Sequence, residues 1–138
     1  MKIVSACLAG IKCRYDGQIK PPCQQIVDLI KQGKAIPVCP EQLGGLSTPR
    51  IAAEKKGDKV FTKEGKDVTE QFNNGAQEVL KFAKLINCDE AILKSKSPSC
   101  GSGKIYDGTF TSTLIDGDGV CAKLLKQNGI QVKTEHEI

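Results

Sequence analysis

The sequence AILKSKSPSCGSG, residues 91–103, joins a short apolar run to a loop that holds one cysteine. The first three residues predict the end of a buried β-strand. Pro98 ends any regular strand or helix, and the glycines after Cys100 permit backbone conformations that other residues avoid. Serine hydroxyls and backbone N–H groups would then surround the thiol, which is typical of a site for a sulfur cluster, a metal or an anion. Taken alone, the segment is equally consistent with an ordinary surface loop and a stray cysteine.

The composition predicts one globular domain, residues 1–138, with an aliphatic core. Hydrophobic residues make up 39% of the chain, charged residues 26% and aromatic residues 4%. The net charge of +4 suits an anionic substrate but selects no class of partner. The sequence has seven cysteines and shows neither a signal peptide nor a membrane-spanning stretch, so we expect a cytoplasmic protein with reduced thiols. In that compartment an excess of cysteine serves packing, metal binding or catalysis.

Apolar and amphipathic stretches alternate along the chain. They predict strands at 2–6, 35–38, 90–93 and 130–133, with helices at 23–32, 67–87 and 120–128. Asp67 and Glu70 form a capping-box pattern at the start of the second helix. Residues 55–62 are expected to form a hairpin outside the main sheet, and residues 105–114 a hairpin or an extended segment. The alternation predicts an α/β fold with a mostly parallel, Rossmann-like open sheet flanked by helices.

Three cysteines follow predicted strands directly or within the next loop, namely Cys7, Cys39 and Cys100. The carboxyl ends of parallel strands share one edge of a sheet, and ligands bind there, so we expect these thiols to converge. Cys13 lies in a loop at the same edge and is ambiguous. The remaining cysteines are expected elsewhere: Cys23, Cys88 and Cys121.

The spacing of the cysteines disfavours several common sites. There is no C-x-x-C pair for structural zinc or thioredoxin-like chemistry, and His136 is the only histidine. Iron–sulfur clusters are held by thiolates, and three ligands would leave one iron of a four-iron cluster open as a Lewis acid with affinity for sulfur. The alternative is that the three cysteines are small hydrophobic residues near the starts of loops. Spacing alone leaves both interpretations open.

Charged residues near the same edge are candidates for catalysis and substrate binding. Glu41 comes two residues after Cys39 and could act as a general acid or base, although a helix N-terminal or solvated position is the commoner case. Arg14 and Arg50 could bind a phosphate, and the N–H groups around Ser102 could assist them. Either arginine could equally pair with a carboxylate such as Asp16 and only shape its loop.

The sequence resembles the thiouracil desulfidase family in several blocks. These blocks are VSACL at 4–8, CRYDG at 13–17, VCPEQLGGL at 38–46, TPR at 48–50, GKDVT at 65–69, LK at 93–94, SPSCG at 97–101 and IYDGTF at 105–110. They extend over nearly the whole chain, from about Ile3 to Glu135. The departure at Leu8-Ala9-Gly10, where the family usually has Leu-Leu-Gly, removes no reactive group.

The resemblance implies an oxygen-sensitive [4Fe–4S] cluster with one open iron, and non-redox removal of sulfur from thiolated pyrimidines with release of sulfide. It implies that the cluster ligands are Cys7, Cys39 and Cys100, with Cys13 left out. It further implies that Glu41 and one of two serines, Ser97 or Ser99, are catalytic.

The substrate and one alternative function stay open at this point. The expected substrate is a small thiolated base or nucleotide rather than folded RNA, because the chain has few aromatic residues for stacking bases. Its candidate binding residues are Arg14, Asp16, Arg50 and Ser102. The alternative is a metal-binding or persulfide-carrier protein without desulfidase activity, in which a thiol such as Cys100 is a stabilised thiolate.

Overall fold

The computed structural model describes residues 1–138 and is built on a four-stranded parallel sheet. The strands lie in the order β2 (Ala35–Val38), β1 (Lys2–Ser5), β5 (Glu90–Leu93) and β8 (Gln131–Thr134). Neighbouring strands are in parallel register throughout, as in the pairs Ile3–Ile36 and Ile3–Ala91. The predicted α/β fold with a parallel, Rossmann-like sheet is therefore confirmed.

Helices cover both faces of this sheet. They are α1 (Gln24–Lys31), the short α2 (Pro40–Leu43), α3 (Thr69–Leu85) and α4 (Val120–Gln127). Successive residues of one strand point to opposite faces, so Ile3 packs with α3 and α4 while Val4 packs with α1. The apolar strands are buried for this reason, and the core is almost entirely aliphatic. No helix has the length and apolarity that crossing a membrane requires.

Two antiparallel hairpins lie outside the parallel sheet. One joins β3 (Ala53–Lys56) to β4 (Lys59–Thr62), and the other joins β6 (Lys104–Tyr106) to β7 (Leu114–Asp116). The Glu54 carboxylate accepts hydrogen bonds from the backbone N–H groups of Gly108, at 3.0 Å, and Phe110, at 3.1 Å. This carboxylate therefore ties the two hairpins together, and both expected hairpins are present.

The predicted capping box at Asp67 is wrong. Helix α3 begins at Thr69, and Val68 occupies the N-cap position without a side-chain hydrogen bond. The Asp67 carboxylate instead accepts from the N–H of Thr69, two residues on, at 2.9 Å. Val68 is held there because it is buried in an apolar cluster with Val60 and Phe72.

The segments after β1 and β2 are also more regular than expected. A 3₁₀ helix, Ala6–Ala9, follows β1, and Gly10 ends it with a φ of 83°. After β2 the chain enters α2 at once, and α2 packs closely on α3. A Cβ at Gly75 would lie 1.9 Å from the Pro40 carbonyl oxygen, so only glycine permits this approach. The close packing fixes the segment that carries Cys39 and Glu41.

Candidate functional site

The three predicted cysteines line one cavity of about 410 Å³ at the carboxyl edge of the sheet. Cys7 lies in the 3₁₀ helix after β1, Cys39 directly follows β2, and Cys100 lies in the loop after β5. Strands β2, β1 and β5 are neighbours, and this order brings together thiols that are far apart in sequence. The cavity has the size of a small-molecule site.

Cys13 lines the same cavity and was not expected there as a functional residue. Its thiol lies near those of Cys7 and Cys39 and influences the pKa of both. Its carbonyl oxygen lies 3.8 Å from the Cys39 sulfur and accepts a 2.9 Å hydrogen bond from Arg50 Nη2. Cys13 is only 2% exposed, less than its two partners. The cavity therefore has four thiols, and the position of Cys13 in a loop at this edge was the only sequence signal for the fourth.

The four thiols differ in acidity. The neighbouring Cys13 thiol lowers the pKa of Cys39 to about 6, against the opposing effect of burial. The Cys13 thiol also lowers the pKa of Cys7, and the charges of Lys94 and Arg14 act in the same direction. The neighbouring Cys39 and Cys7 thiols raise the pKa of Cys13. Burial raises the pKa of Cys100 well above its usual value. Cys7 and Cys39 are thus more acidic than an ordinary thiol, whereas Cys13 and Cys100 are less acidic.

The donor set fits an iron–sulfur cluster better than a single ion. No three Cys, His, Asp or Glu side chains of the chain lie close enough to hold one metal ion. A single zinc ion would draw its thiolates to about 2.3 Å, whereas a four-iron cluster takes each thiolate on a separate iron. The three cysteines follow different strands and line a common cavity, which suits a four-iron cluster better than a single ion.

Glu41 faces the cavity from the first turn of α2, next to Arg50. Arg50 Nε lies 3.0 Å from Glu41 Oε1, and both side chains are largely buried, at 8% and 16% exposure. Burial raises the pKa of Glu41, and the charge and hydrogen bond of Arg50 act against this rise. The result is a buried carboxylate next to the thiols, held in place by a guanidinium.

Both candidate phosphate-binding arginines are paired with carboxylates. Arg50 donates to Glu41 and, with its other nitrogens, to the Ser47 and Cys13 carbonyl oxygens and the Thr48 hydroxyl. These contacts match the alternative expectation for Arg50, in which it pairs with a carboxylate and shapes its own loop instead of binding a phosphate. Arg14 donates hydrogen bonds to both carboxylate oxygens of Asp16, at 3.1 and 2.9 Å. Arg14 lines the cavity, but Asp16 does not. Nη1 of Arg14 has no protein acceptor among these hydrogen bonds.

The candidate serines occupy different positions. The Ser97 hydroxyl lines the cavity and accepts hydrogen bonds from the N–H groups of Ser99, at 3.2 Å, and Cys100, at 3.0 Å. Ser99 is fully buried outside the cavity, and its hydroxyl has no partner. Ser102 does not line the cavity either. The structure therefore brings Ser97 to the thiols but not Ser99 or Ser102.

Lys94 lines the cavity but was not predicted as a site residue from the sequence. Its ammonium lies 3.0 Å from Glu135, whose carboxylate also accepts from the N–H of Ser95 at 2.7 Å. Lys94, Cys7 and Arg14 also line an adjoining cavity of about 350 Å³. The only sequence signal for a role of Lys94 in the site was its position directly after a buried strand. Its partner, Glu135, lies 41 residues away in the sequence.

Comparisons with known proteins point to one family. A family model described as 2-thiouracil desulfurase matches residues 3–137. "Uncharacterized protein YbbK" of Bacillus subtilis (strain 168) is 47% identical, and the match covers 100% of this chain and 97% of that protein. A solved structure, the [4Fe-4S]-dependent thiouracil desulfidase TudS, is similar with 44% identity and a TM-score of 0.94, covering 99% of this chain and 91% of that one. The chain belongs to the 2-thiouracil desulfurase family.

Proposed function

We propose that this protein is an iron–sulfur-dependent desulfidase that hydrolyses thiolated pyrimidines and releases sulfide. The main support is the cavity itself, where thiols from three neighbouring strand ends lie beside a buried carboxylate. Family membership and the similarity to a structure named as a [4Fe-4S]-dependent desulfidase support the same activity. A cytoplasmic location, where thiols stay reduced, and a single domain are parts of this proposal.

The residues that would hold a [4Fe–4S] cluster are Cys7, Cys39 and Cys100. A cluster with these three protein ligands would supply one open iron, a Lewis acid with affinity for sulfur. Val38 and Pro40 give the cavity an apolar lining on either side of Cys39. The overall reaction exchanges C=S and water for C=O and hydrogen sulfide, so no electrons are needed.

Glu41 is the proposed general base. Its carboxylate accepts a proton from water, the water oxygen adds to the thiocarbonyl carbon, and the carbon–sulfur bond then breaks. Arg50 orients the carboxylate through the 3.0 Å ion pair. Glu41 passes this proton to the departing sulfur, and the second proton of the water leaves the added hydroxyl as C=O forms, so hydrogen sulfide is released and the carboxylate is regenerated.

Ser97 is the proposed second catalytic residue, in preference to Ser99. Because its oxygen accepts two backbone N–H groups, its own proton is free to be donated into the cavity. Such a donor stabilises negative charge that develops on the substrate.

We expect Ser97→Ala to lower turnover about 100-fold, the typical effect of removing one such donor. Sulfide release and iron content per chain should be measured together, so that a lost cluster is not mistaken for lost catalysis. The matched control is Ser99→Ala, which removes a buried hydroxyl without a partner and should leave turnover unchanged. Equal losses in both variants would contradict the assignment of Ser97.

The proposed substrate is a free thiolated base or nucleotide. Arg14 lines both cavities and keeps one guanidinium nitrogen without a protein acceptor, so it can reach a phosphate. We expect Arg14→Ala to raise KM for a thiouridine monophosphate about 10- to 150-fold while leaving KM for thiouracil unchanged, since a charge-assisted hydrogen bond contributes about 1.5–3 kcal/mol. Steady-state kinetics on base, nucleoside, nucleotide and thiolated RNA would measure this. Equal effects on base and nucleotide would remove the phosphate argument, and efficient action on folded RNA would contradict the proposed substrate size.

The activity itself is tested on protein purified and reconstituted without oxygen. Iron and acid-labile sulfide are measured first, and sulfide release from thiouracil and thiolated uridine nucleotides is measured next. A protein that holds the cluster but releases no sulfide from any of them would contradict the enzymatic proposal. Zinc in place of iron would favour the carrier function instead.

A further inference from the structure

Both tyrosines of the chain, Tyr15 and Tyr106, line the cavity that contains the three proposed cluster ligands. Aromatic residues are otherwise scarce, since tryptophan is absent and none of the four phenylalanines lines this cavity. Tyr15 comes from the loop after the 3₁₀ helix and Tyr106 from β6, so two separate segments bring an aromatic residue to one place. The proposed function assigns no role to either tyrosine.

Few contacts within the chain account for these two side chains. The side-chain hydrogen bonds of the neighbouring residues leave both phenol oxygens without a partner. The Arg14 guanidinium lies 5.7 Å from the centre of the Tyr15 ring, but Tyr15 is still 44% exposed. Neither tyrosine belongs to one of the apolar core clusters. Both rings are therefore available to a ligand in the cavity.

Backbone contacts fix the positions of the two tyrosines before any ligand binds. The Tyr15 carbonyl oxygen accepts a 2.8 Å hydrogen bond from the N–H of Arg50. Tyr106 is paired with Leu114 across the second hairpin, and the Glu54 carboxylate ties this hairpin to the first one. A ligand that contacts side chains on fixed backbone segments loses less free energy to ordering the site.

We propose that Tyr15 and Tyr106 bind the pyrimidine ring of the substrate through aromatic contacts with their own rings. The inference rests on the proposed function, because it takes a thiolated pyrimidine as the substrate. An aromatic side chain can stack on any flat base, so this contact does not depend on the sulfur atom. Two such residues in one cavity suit a single base, which agrees with a free base or nucleotide. Because Arg14 lies near the Tyr15 ring, one nucleotide can contact Arg14 with its phosphate and Tyr15 with its base.

The test compares Tyr15→Ala, Tyr106→Ala, Tyr15→Phe and Tyr106→Phe with the wild type, all reconstituted without oxygen. The Kd of uracil, which has no sulfur for an iron to attract, is measured by equilibrium dialysis. KM and kcat for thiouracil are measured by sulfide release, with iron per chain as the check on cluster content. We expect each alanine variant to raise Kd and KM about tenfold, with a smaller effect on kcat, because one base–aromatic contact is lost. Each phenylalanine variant keeps its ring and should stay near the wild type.

The matched control is Phe82→Ala. Phe82 is also a partly exposed aromatic residue, at 38%, but it lies on α3 and does not line the cavity, so Kd and KM should not change. Alanine variants that match the wild type in both Kd and KM would overturn the inference. Phenylalanine variants as weak as the alanine variants would also overturn it, since the hydroxyl and not the ring would then make the contact.

The outcomes for this inference and for the proposed function are distinguishable. If the wild type releases sulfide but the tyrosine variants bind uracil and thiouracil normally, the inference fails and the proposed function stands. If the wild type binds uracil through both tyrosines but releases no sulfide, the proposed function fails and pyrimidine binding by the tyrosines stands. A wild type that shows neither uracil binding nor sulfide release would overturn both.

Discussion

Replacing Cys39 by alanine is expected to abolish cluster binding and desulfidase activity together. Cys39 is the thiol whose pKa is lowered to about 6, so it is the most readily ionised of the proposed ligands. The variant keeps only two of the three proposed thiolate ligands. No histidine can replace the third, because the single histidine, His136, does not line the cavity. Iron per chain should fall to background, and sulfide release with it. The same outcome is expected for Cys7→Ala and Cys100→Ala.

The ligand test needs a thiol control and a folding control. Cys88→Ala removes a half-buried thiol at the other edge of the sheet and should keep full iron content and activity. Circular dichroism of the apoproteins shows whether a variant has lost its fold rather than its cluster. Full iron content in any of the three ligand variants would show that the proposed ligand set is wrong, and Cys13 would be the first residue to examine as the replacement ligand.

The convergence of the three cysteines was predictable because it depends only on strand order and direction. Each thiol follows an apolar run that reads as a buried strand, and the three strands are adjacent and parallel in the sheet. Cys13 was not predictable in the same way. Its place beside Cys7 and Cys39 depends on the path of the loop after Gly10 and on the hydrogen bond from Arg50, 37 residues away.

The polar partners were the least predictable part of the site. Lys94 and Glu135 are 41 residues apart, and only the pairing of β5 with β8 brings them together. The capping pattern at Asp67 failed for a similar reason, since burial of Val68 with Phe72 outweighs the local hydrogen-bonding preference. Local sequence patterns indicate which segments form elements. They do not indicate which distant side chain completes a hydrogen bond.

Replacing Glu41 by glutamine should lower turnover about 100- to 10,000-fold while leaving iron content unchanged. Glutamine has the same shape and can still accept from Arg50 through its amide oxygen, but it cannot take a proton from water. The matched control is Glu90→Gln. The side chain of Glu90 is similarly exposed, at 14% against 16% for Glu41, and is also ion-paired, but it lies at the opposite end of the sheet, at the start of β5. Its variant should keep wild-type turnover.

The pH dependence gives the sharper test of Glu41. Burial raises the pKa of Glu41 above its usual range, and Arg50 opposes this rise. Only the ionised carboxylate can act as the base, so kcat/KM of the wild type should increase with pH through the raised pKa and fall as the pH drops below it. The acid limb should therefore lie above the range of an ordinary glutamate. In Glu41→Gln the residual activity should lack this limb, because no carboxyl group remains to be protonated. A glutamine variant that keeps both the wild-type rate and its acid limb would assign the base to another group.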